Sequence, residues 1–357
     1  MTRLRSSLRP RRARAKSATE VAFDEQAPRP VGAPPDSVIL RYVVPAELAG
    51  QRLDRFIQYR IPRLSRTRAQ AIIRSCAVRL DGARRRPSDI VRSDEVVYLV
   101  RERFVEPETP QHFGVVHQDD ELLIVDKPAG LPMHPSATYH RNTLTYLLRE
   151  RYENEFAPRI AHRLDRETSG LVICARTAQA ERTLKRAFEQ HRIQKTYLAI
   201  VRGELAQDEG EIALPIAPVR EGLHVLMEVR EDGLTAHTHY RVLGRRRDHS
   251  LVELFPKSGR QHQLRVHLSA IGHSIVGDKL YGPEREAPFL EIIEQGGITP
   301  ELLERLGLPR QALHAHRLQF VHPTTGLPFE AVAPMPTDMQ ELWESFSPAL
   351  TGAPPMA

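Results

Sequence analysis

The chain has 357 residues, 51 Lys and Arg against 45 Asp and Glu, and a formal net charge of +6 at pH 7. With 41% apolar and 27% charged residues, it has the balance of a globular protein with room for one large domain and one small module. No apolar run approaches the ~18 residues of a membrane-spanning helix. No apolar core follows the basic start as a secretory signal requires, although a transit peptide would also be basic and poor in acids. Cys76 and Cys174 stand far apart in apolar settings, which reads as reduced core positions of a cytoplasmic protein and not as a disulfide or metal pair.

Charge is unevenly placed. Residues 1–19 hold seven basic side chains and no acid, and residues 51–86 hold eleven arginines against Asp54 and Asp81, so the rest of the chain is acidic on balance. A basic quarter of this kind is the footprint expected of a nucleic-acid partner.

In chain order, residues 1–37 are rich in Arg, Pro and Ala without apolar periodicity and are expected to be a disordered basic tail. Residues 38–101 form a small module: a strand over 38–44, a helix over 53–59 closed by Pro62, a second helix over 66–75 capped by Ser65, a strand at 78–80 entering the Asp81-Gly82 turn, and a strand over 95–100. Residues 102–112 contain two prolines and read as a linker. The main domain spans 113–345, followed by a short tail, 346–357. In it the pattern predicts strands at 122–125, 171–175, 196–201 and 251–255. Helices are predicted at 143–152, 178–190, 261–271 and 300–306. Strands interleave with helices without regular alternation, which points to a mixed α+β fold.

The string HRLDRETSGL, His162 to Leu171, carries the clearest chemical signal. It places Asp165 between Arg163 and Arg166, just before a turn of hydroxyls and glycine and then a buried strand. Flanking cations keep a carboxylate ionised, and an ionised carboxylate on a loop at the mouth of a sheet can serve as nucleophile or base. No phosphate-binding glycine loop, dinucleotide fingerprint or CxxC pair is present. The sixteen histidines include His262/His267 and His314/His316, but neither pair has a third ligand at metal-site spacing.

This string closely resembles the central motif of the RluA-type pseudouridine synthases. DELLIVDKPAGLPMHP (120–135), KTYLAIVRGE (195–204), PKSGRQHQLRVHLSAIGHSIVGDKLYG (256–282) and LHAHRLQFVHPTTG (313–326) fit the same family in the right order, over roughly residues 110 to 340. One departure is Ser274 after His273, where the family often has proline. The segment RLDRFIQYRIPRLSRTRAQAIIRSCAVRLDG (52–82) resembles the RNA-binding domain shared with ribosomal small-subunit protein four.

The resemblance implies a large, mostly antiparallel central sheet crossed by an active cleft, with the 38–101 module as a small α/β RNA-binding domain. It implies isomerisation of uridine to pseudouridine in RNA without a cofactor or metal, on large-subunit ribosomal RNA first and transfer RNA second. Asp165 matches the essential aspartate, as nucleophile or as base. Tyr197 matches the active-site tyrosine, and Arg265 the arginine that pairs with the aspartate, with Leu264 beside it as a cleft wall. For RNA the candidates are Arg163 as a wedge that fills the gap left by the turned-out uridine, His162, Lys127 and Lys257, and Arg63, Arg66 and Arg68 in the small module. His162 and Arg260 are equally compatible with structural roles.

Two rivals are open. An RNA-binding protein that has lost catalysis would tolerate loss of Asp165, Tyr197 or Arg265, yet all three are present. A glycosidase-like hydrolase would need a second essential carboxylate. Candidates such as Glu167 lack a motif that fixes them opposite Asp165.

Overall fold

The computed structural model describes residues 28–348, except 36, 62–63, 102–105, 137, 154, 221–222 and 224. Arg63 and most of the two tails therefore lie outside the described residues. The chain forms two compact units, residues 1–105 and 106–357.

In the first unit, β1 (Val38–Val43) leads through a 3-10 turn to α1 (Leu53–Arg60) and α2 (Arg66–Cys76). These are followed by β2 (Ala77–Val78) and β3 (Val96–Arg101). The three strands form one sheet in the order β1-β3-β2. Leu53, Phe56 and Ile57 of α1 and Ala69 and Ile73 of α2 are buried against Leu40, Val97 and Leu99, the apolar stripes at helical and strand period that the sequence carries. Ser65 accepts a hydrogen bond from the Arg68 amide, as a helix N-cap does. Part of the presumed tail is not free chain: the Val31 amide donates to the Leu80 carbonyl at 2.9 Å. A Cβ on Gly82 would stand 2.5 Å from the Val31 carbonyl oxygen. A turn glycine is what lets that segment lie there.

The second unit runs β4 (Gly114–Gln118), β5 (Leu122–Lys127), α3 (Leu144–Arg151), β6 (Arg159–Ile160), β7 (Ser169–Ala175), α4 (Ala178–Glu189) and β8 (Gln194–Arg202). It continues through β9 (Glu209–Ile212), β10 (Ile216–Pro218), β11 (Met227–Val229), β12 (Thr238–Arg246), β13 (His249–Pro256) and α5 (Gln263–Ala270). It ends with α6 (Ala287–Gln295), α7 (Pro300–Leu306), β14 (Leu313–Val321), β15 (Pro328–Val332) and α8 (Thr337–Ser345). Among the described residues, ten strands build one sheet along the path β4-β5-β7-β14-β8-β13-β12-β9, with β15 on β14 and β6 on β7. β7 and β14 pair in parallel and the other pairs are antiparallel.

Alternation along the central strands divides the core. Leu123 and Val125 of β5 with Val172 and Cys174 of β7 face Leu144, Leu147 and Leu148 of α3. Leu122, Ile124, Leu171 and Ile173 face Ala180 and Leu184 of α4. Burial on both faces explains the unbroken apolar runs. A segment read as linker belongs to this unit. The Glu106 carboxylate accepts the backbone amides of His140, Arg141 and Asn142 at 2.9 Å each. No helix among the described residues is long and apolar enough to cross a membrane.

Candidate active site

Asp165 lies on the loop between β6 and β7, and neighbouring groups hold that loop from several sides. The Thr168 amide closes a turn on the Asp165 carbonyl at 3.2 Å, and the Gly130 amide donates to the Arg166 carbonyl at 2.8 Å. The Gln311 amide nitrogen donates to Thr168 Oγ1 at 2.6 Å. Gly170 follows with φ of 110°, and a Cβ there would stand 2.3 Å from the Ala315 carbonyl oxygen. Only glycine lets β7 approach β14 so closely while the loop turns. This is the local reason for the hydroxyl-glycine turn after Asp165.

Arg265, in the first turns of α5, reaches the same point. Its Nη1 donates to Asp165 Oδ2 at 3.0 Å. Its Nε and Nη2 donate to Asp278 Oδ2 and Oδ1 at 2.6 and 2.8 Å, a two-bond fork in which Arg is stronger than Lys. Asp278 is buried and also accepts the Leu280 and Tyr281 amides. The Tyr281 ring lies under the Arg265 guanidinium at 4.9 Å. Burial works against ionising Asp165, but the charge of Arg265 overcomes it and holds the carboxyl below its usual range. The same balance of burial and Arg265 holds for Asp278.

Tyr197 on β8 is held in register by Leu254 and Ala315 of the flanking strands. It faces the same cavity of about 800 Å³ as Asp165, Arg265, Leu264 and Arg163. Burial, with the nearby charge of Asp165, raises its phenol well above the ordinary value, so the hydroxyl stays protonated. Arg163 is exposed at the cavity and makes no hydrogen bond or ion pair with a described residue.

Other candidates are placed differently. Lys127 is fully buried, and its Nζ donates to the carbonyls of Pro128, Leu131 and Arg166 at 2.8, 3.0 and 3.1 Å. It clamps the Asp165 loop from below and presents nothing to a phosphate, and burial lowers its pKa to about 7. His162 lines the cavity, but its Nε2 accepts the Ile173 amide at 3.0 Å and its ring packs on Phe188. Burial pushes its pKa down to about 3, so the ring is neutral, and of the two readings its placement fits the structural one. Lys257 is exposed and pairs with Glu211 at 3.1 Å. Arg66 and Arg68 are exposed on α2, and Arg66 touches Asp54 at 3.4 Å. Glu167 is engaged through one oxygen, Oε1, by both Lys279 and Arg166, which ties it to two cations beside the Asp165 loop.

Sequence reasoning missed Asp278 and Gln311. The signal for Asp278 is Gly277 before it. Its φ is 77°, and a Cβ would come within 1.9 Å of the Arg310 carbonyl oxygen, so the sharp turn that buries the acid requires glycine.

The family model described as RNA pseudouridylate synthase matches residues 121–270. The chain is 39% identical over 318 residues to a protein of Xanthomonas campestris pv. campestris named ribosomal large subunit pseudouridine synthase D, covering 87% of this chain and 93% of that one. It is 37% identical to the Pseudomonas aeruginosa protein of the same name, over 84% of this chain and 92% of that one. The solved structure of human RNA pseudouridylate synthase domain containing 1 superposes with a TM-score of 0.53 at 28% identity, over 68% of this chain and 91% of that one. Fold, cleft and relatives together define an isomerase that acts on RNA. The chain belongs to the RNA pseudouridylate synthase family.

Proposed function

We propose that the protein isomerises uridine to pseudouridine in large-subunit ribosomal RNA, with Asp165 as the reacting carboxylate. The names of its relatives support the substrate. The observation that carries the chemical reading is the Asp165–Arg265 pair at 3.0 Å in the cleft that Tyr197 also faces.

The reaction breaks the bond between ribose C1′ and uracil N1, turns the base and rejoins it through C5. Substrate and product are isomers, so the net change needs no redox partner. An ionised Asp165 acts on the sugar, as nucleophile at C1′ or as base at C2′, and either role needs the charge that Arg265 maintains. The protonated Tyr197 stacks on the uracil and exchanges protons near C5. Turning a uridine out of its stack costs a few kcal/mol, and the free Arg163 guanidinium fills the gap and pairs with phosphate. Arg66 and Arg68 of the first unit, with Arg63, hold RNA phosphates, and Lys257 contributes at the second.

Pseudouridine mapping across ribosomal RNA with and without the protein tests this. Loss of one or a few large-subunit sites is expected. An unchanged large-subunit map with changed transfer RNA would reject the substrate, and no change in any RNA would reject the activity.

A further inference from the structure

His262 precedes α5 and has a left-handed backbone, φ 56° and ψ 18°, a conformation uncommon for a residue with a side chain. That conformation aims its ring into the cleft between two groups. Nδ1 lies 2.7 Å from the Tyr281 hydroxyl, and that hydroxyl oxygen also receives the Met227 amide at 2.8 Å. Among the described residues the Tyr281 hydroxyl has no acceptor for its own proton except Nδ1, so it donates there and the imidazole proton sits on Nε2. Burial and the charge of Arg265 lower the ring pKa to about 4, so this neutral tautomer prevails at neutral pH.

Nε2 lies 3.9 Å from Asp165 Oδ1, too far for a hydrogen bond. Arg265 Nη1 takes the other carboxylate oxygen, Oδ2. A donor and the carboxylate oxygen that Arg265 does not take therefore stand side by side at the cavity, with the Gln311 side chain also beside the carboxylate. An oxygen about 2.8 Å from both would subtend an angle on the order of 90°, which a hydroxyl satisfies by accepting from Nε2–H and donating to Oδ1. In the ribose of an internal RNA nucleotide the 3′ and 5′ oxygens are esterified, and the only free hydroxyl is at C2′, next to the carbon whose bond breaks.

We infer that His262 and Asp165 together hold the 2′-hydroxyl of the target uridine, so that His262 is a substrate-contacting residue that selects RNA over DNA. The inference rests on the reading of Asp165 as the carboxylate that acts on the sugar. In this arrangement the hydroxyl aligns C1′ and C2′ on Asp165 before reaction, and Tyr281 is the residue that fixes the ring's tautomer.

The test uses the full chain and an RNA fragment containing the uridine that the parent converts, made with uridine or with 2′-deoxyuridine at that position. Affinity is read by rapid-mixing fluorescence before turnover, for the parent, His262→Ala and His262→Gln. The deoxy replacement should weaken the parent about three- to tenfold. His262→Ala should lose a similar factor on the ribose RNA and then lose less on the deoxy replacement. His262→Gln, whose amide can restore a donor, should recover part of the affinity. An equal cost of the deoxy replacement in parent and His262→Ala would overturn the contact even if the variant is less stable, because each protein is its own reference. No cost in the parent would overturn it too. A parent that forms no pseudouridine in any RNA would overturn the functional reading first, and the contact with it.

Discussion

Asp278 accepts two hydrogen bonds from Arg265, from Nε at 2.6 Å and from Nη2 at 2.8 Å. That fork leaves a single nitrogen, Nη1, for Asp165. Arg265 is thus oriented by a carboxylate that cannot reach the substrate, and its remaining N–H points where the reactive carboxylate must sit.

Asp278→Asn is expected to damage both stability and rate. The amide that replaces one oxygen would face a guanidinium N–H, and the buried arginine would lose a counter-charge. Breaking one side of a buried pair costs about 3–5 kcal/mol, or roughly 2–4 °C of melting temperature per kcal/mol in a domain of this size. The saturated single-turnover rate should fall at least about tenfold as Nη1 loses its aim. A variant with parental melting temperature and rate would show that Asp278 does not position Arg265.

Asp165→Asn should leave the melting temperature within a few degrees and RNA affinity within about tenfold of the parent's, while the single-turnover rate falls by about 10³ or more. The amide keeps the size of the side chain and can still accept from Arg265 Nη1, but it has neither the charge nor the basicity. A rate within about tenfold of the parent would remove Asp165 from the role proposed for it.

The pH dependence follows from the same charges. Asp165 is held below the ordinary carboxylate range and Tyr197 above the ordinary phenol value. The ionised acid and the protonated phenol therefore coexist over a wide span. The saturated rate should be flat from about pH 5 to pH 9 and fall only on the acid side of that plateau. Stability follows the sign for depressed carboxylates: the contribution of Asp165 and Asp278 is complete above about pH 4 and is lost as pH falls through their folded values. An inflection in rate between about pH 6 and 8 would mean that an ionising histidine, not this pair, limits the step.

How far these features could be read from sequence differed with the physics involved. The runs at 122–125 and 171–175 are buried on both faces, so their apolar patterns announce strands whatever lies around them. β12 and β14 carry charges and histidines at alternate positions and gained strand identity only from their neighbours, so they were not assigned. Asp165, Tyr197 and Arg265 were identified through motifs, and the fold brings them to one cleft. Lys127 was misread because a cationic residue type was taken for an exposed one, and for His162 the residue type alone did not decide between an RNA contact and a structural role. In the fold, three carbonyls surround the ammonium of Lys127, and a backbone amide occupies the ring of His162. Asp278 lies thirteen residues beyond Arg265, across a glycine turn, and no periodicity relates them.

The first unit should supply affinity and not chemistry. Arg66 and Arg68 are exposed on α2, and Arg66 has only a 3.4 Å contact with Asp54, an acid that Arg52 and Gln70 hold at 3.0 and 2.9 Å. Replacing both arginines with Gln should therefore cost little stability. Each lost phosphate contact reduces the slope of log affinity against log salt by about 0.7 to 0.9, so the double variant should flatten that slope by roughly 1.4 to 1.8. It should also raise the RNA concentration needed for half-maximal rate. The rate at saturating RNA should be parental, because Asp165, Tyr197 and Arg265 belong to the other unit. Single-turnover kinetics at several salt concentrations separate the two effects. A large drop in the saturated rate with an unchanged salt slope would mean that these arginines position RNA for reaction and do not hold it by charge.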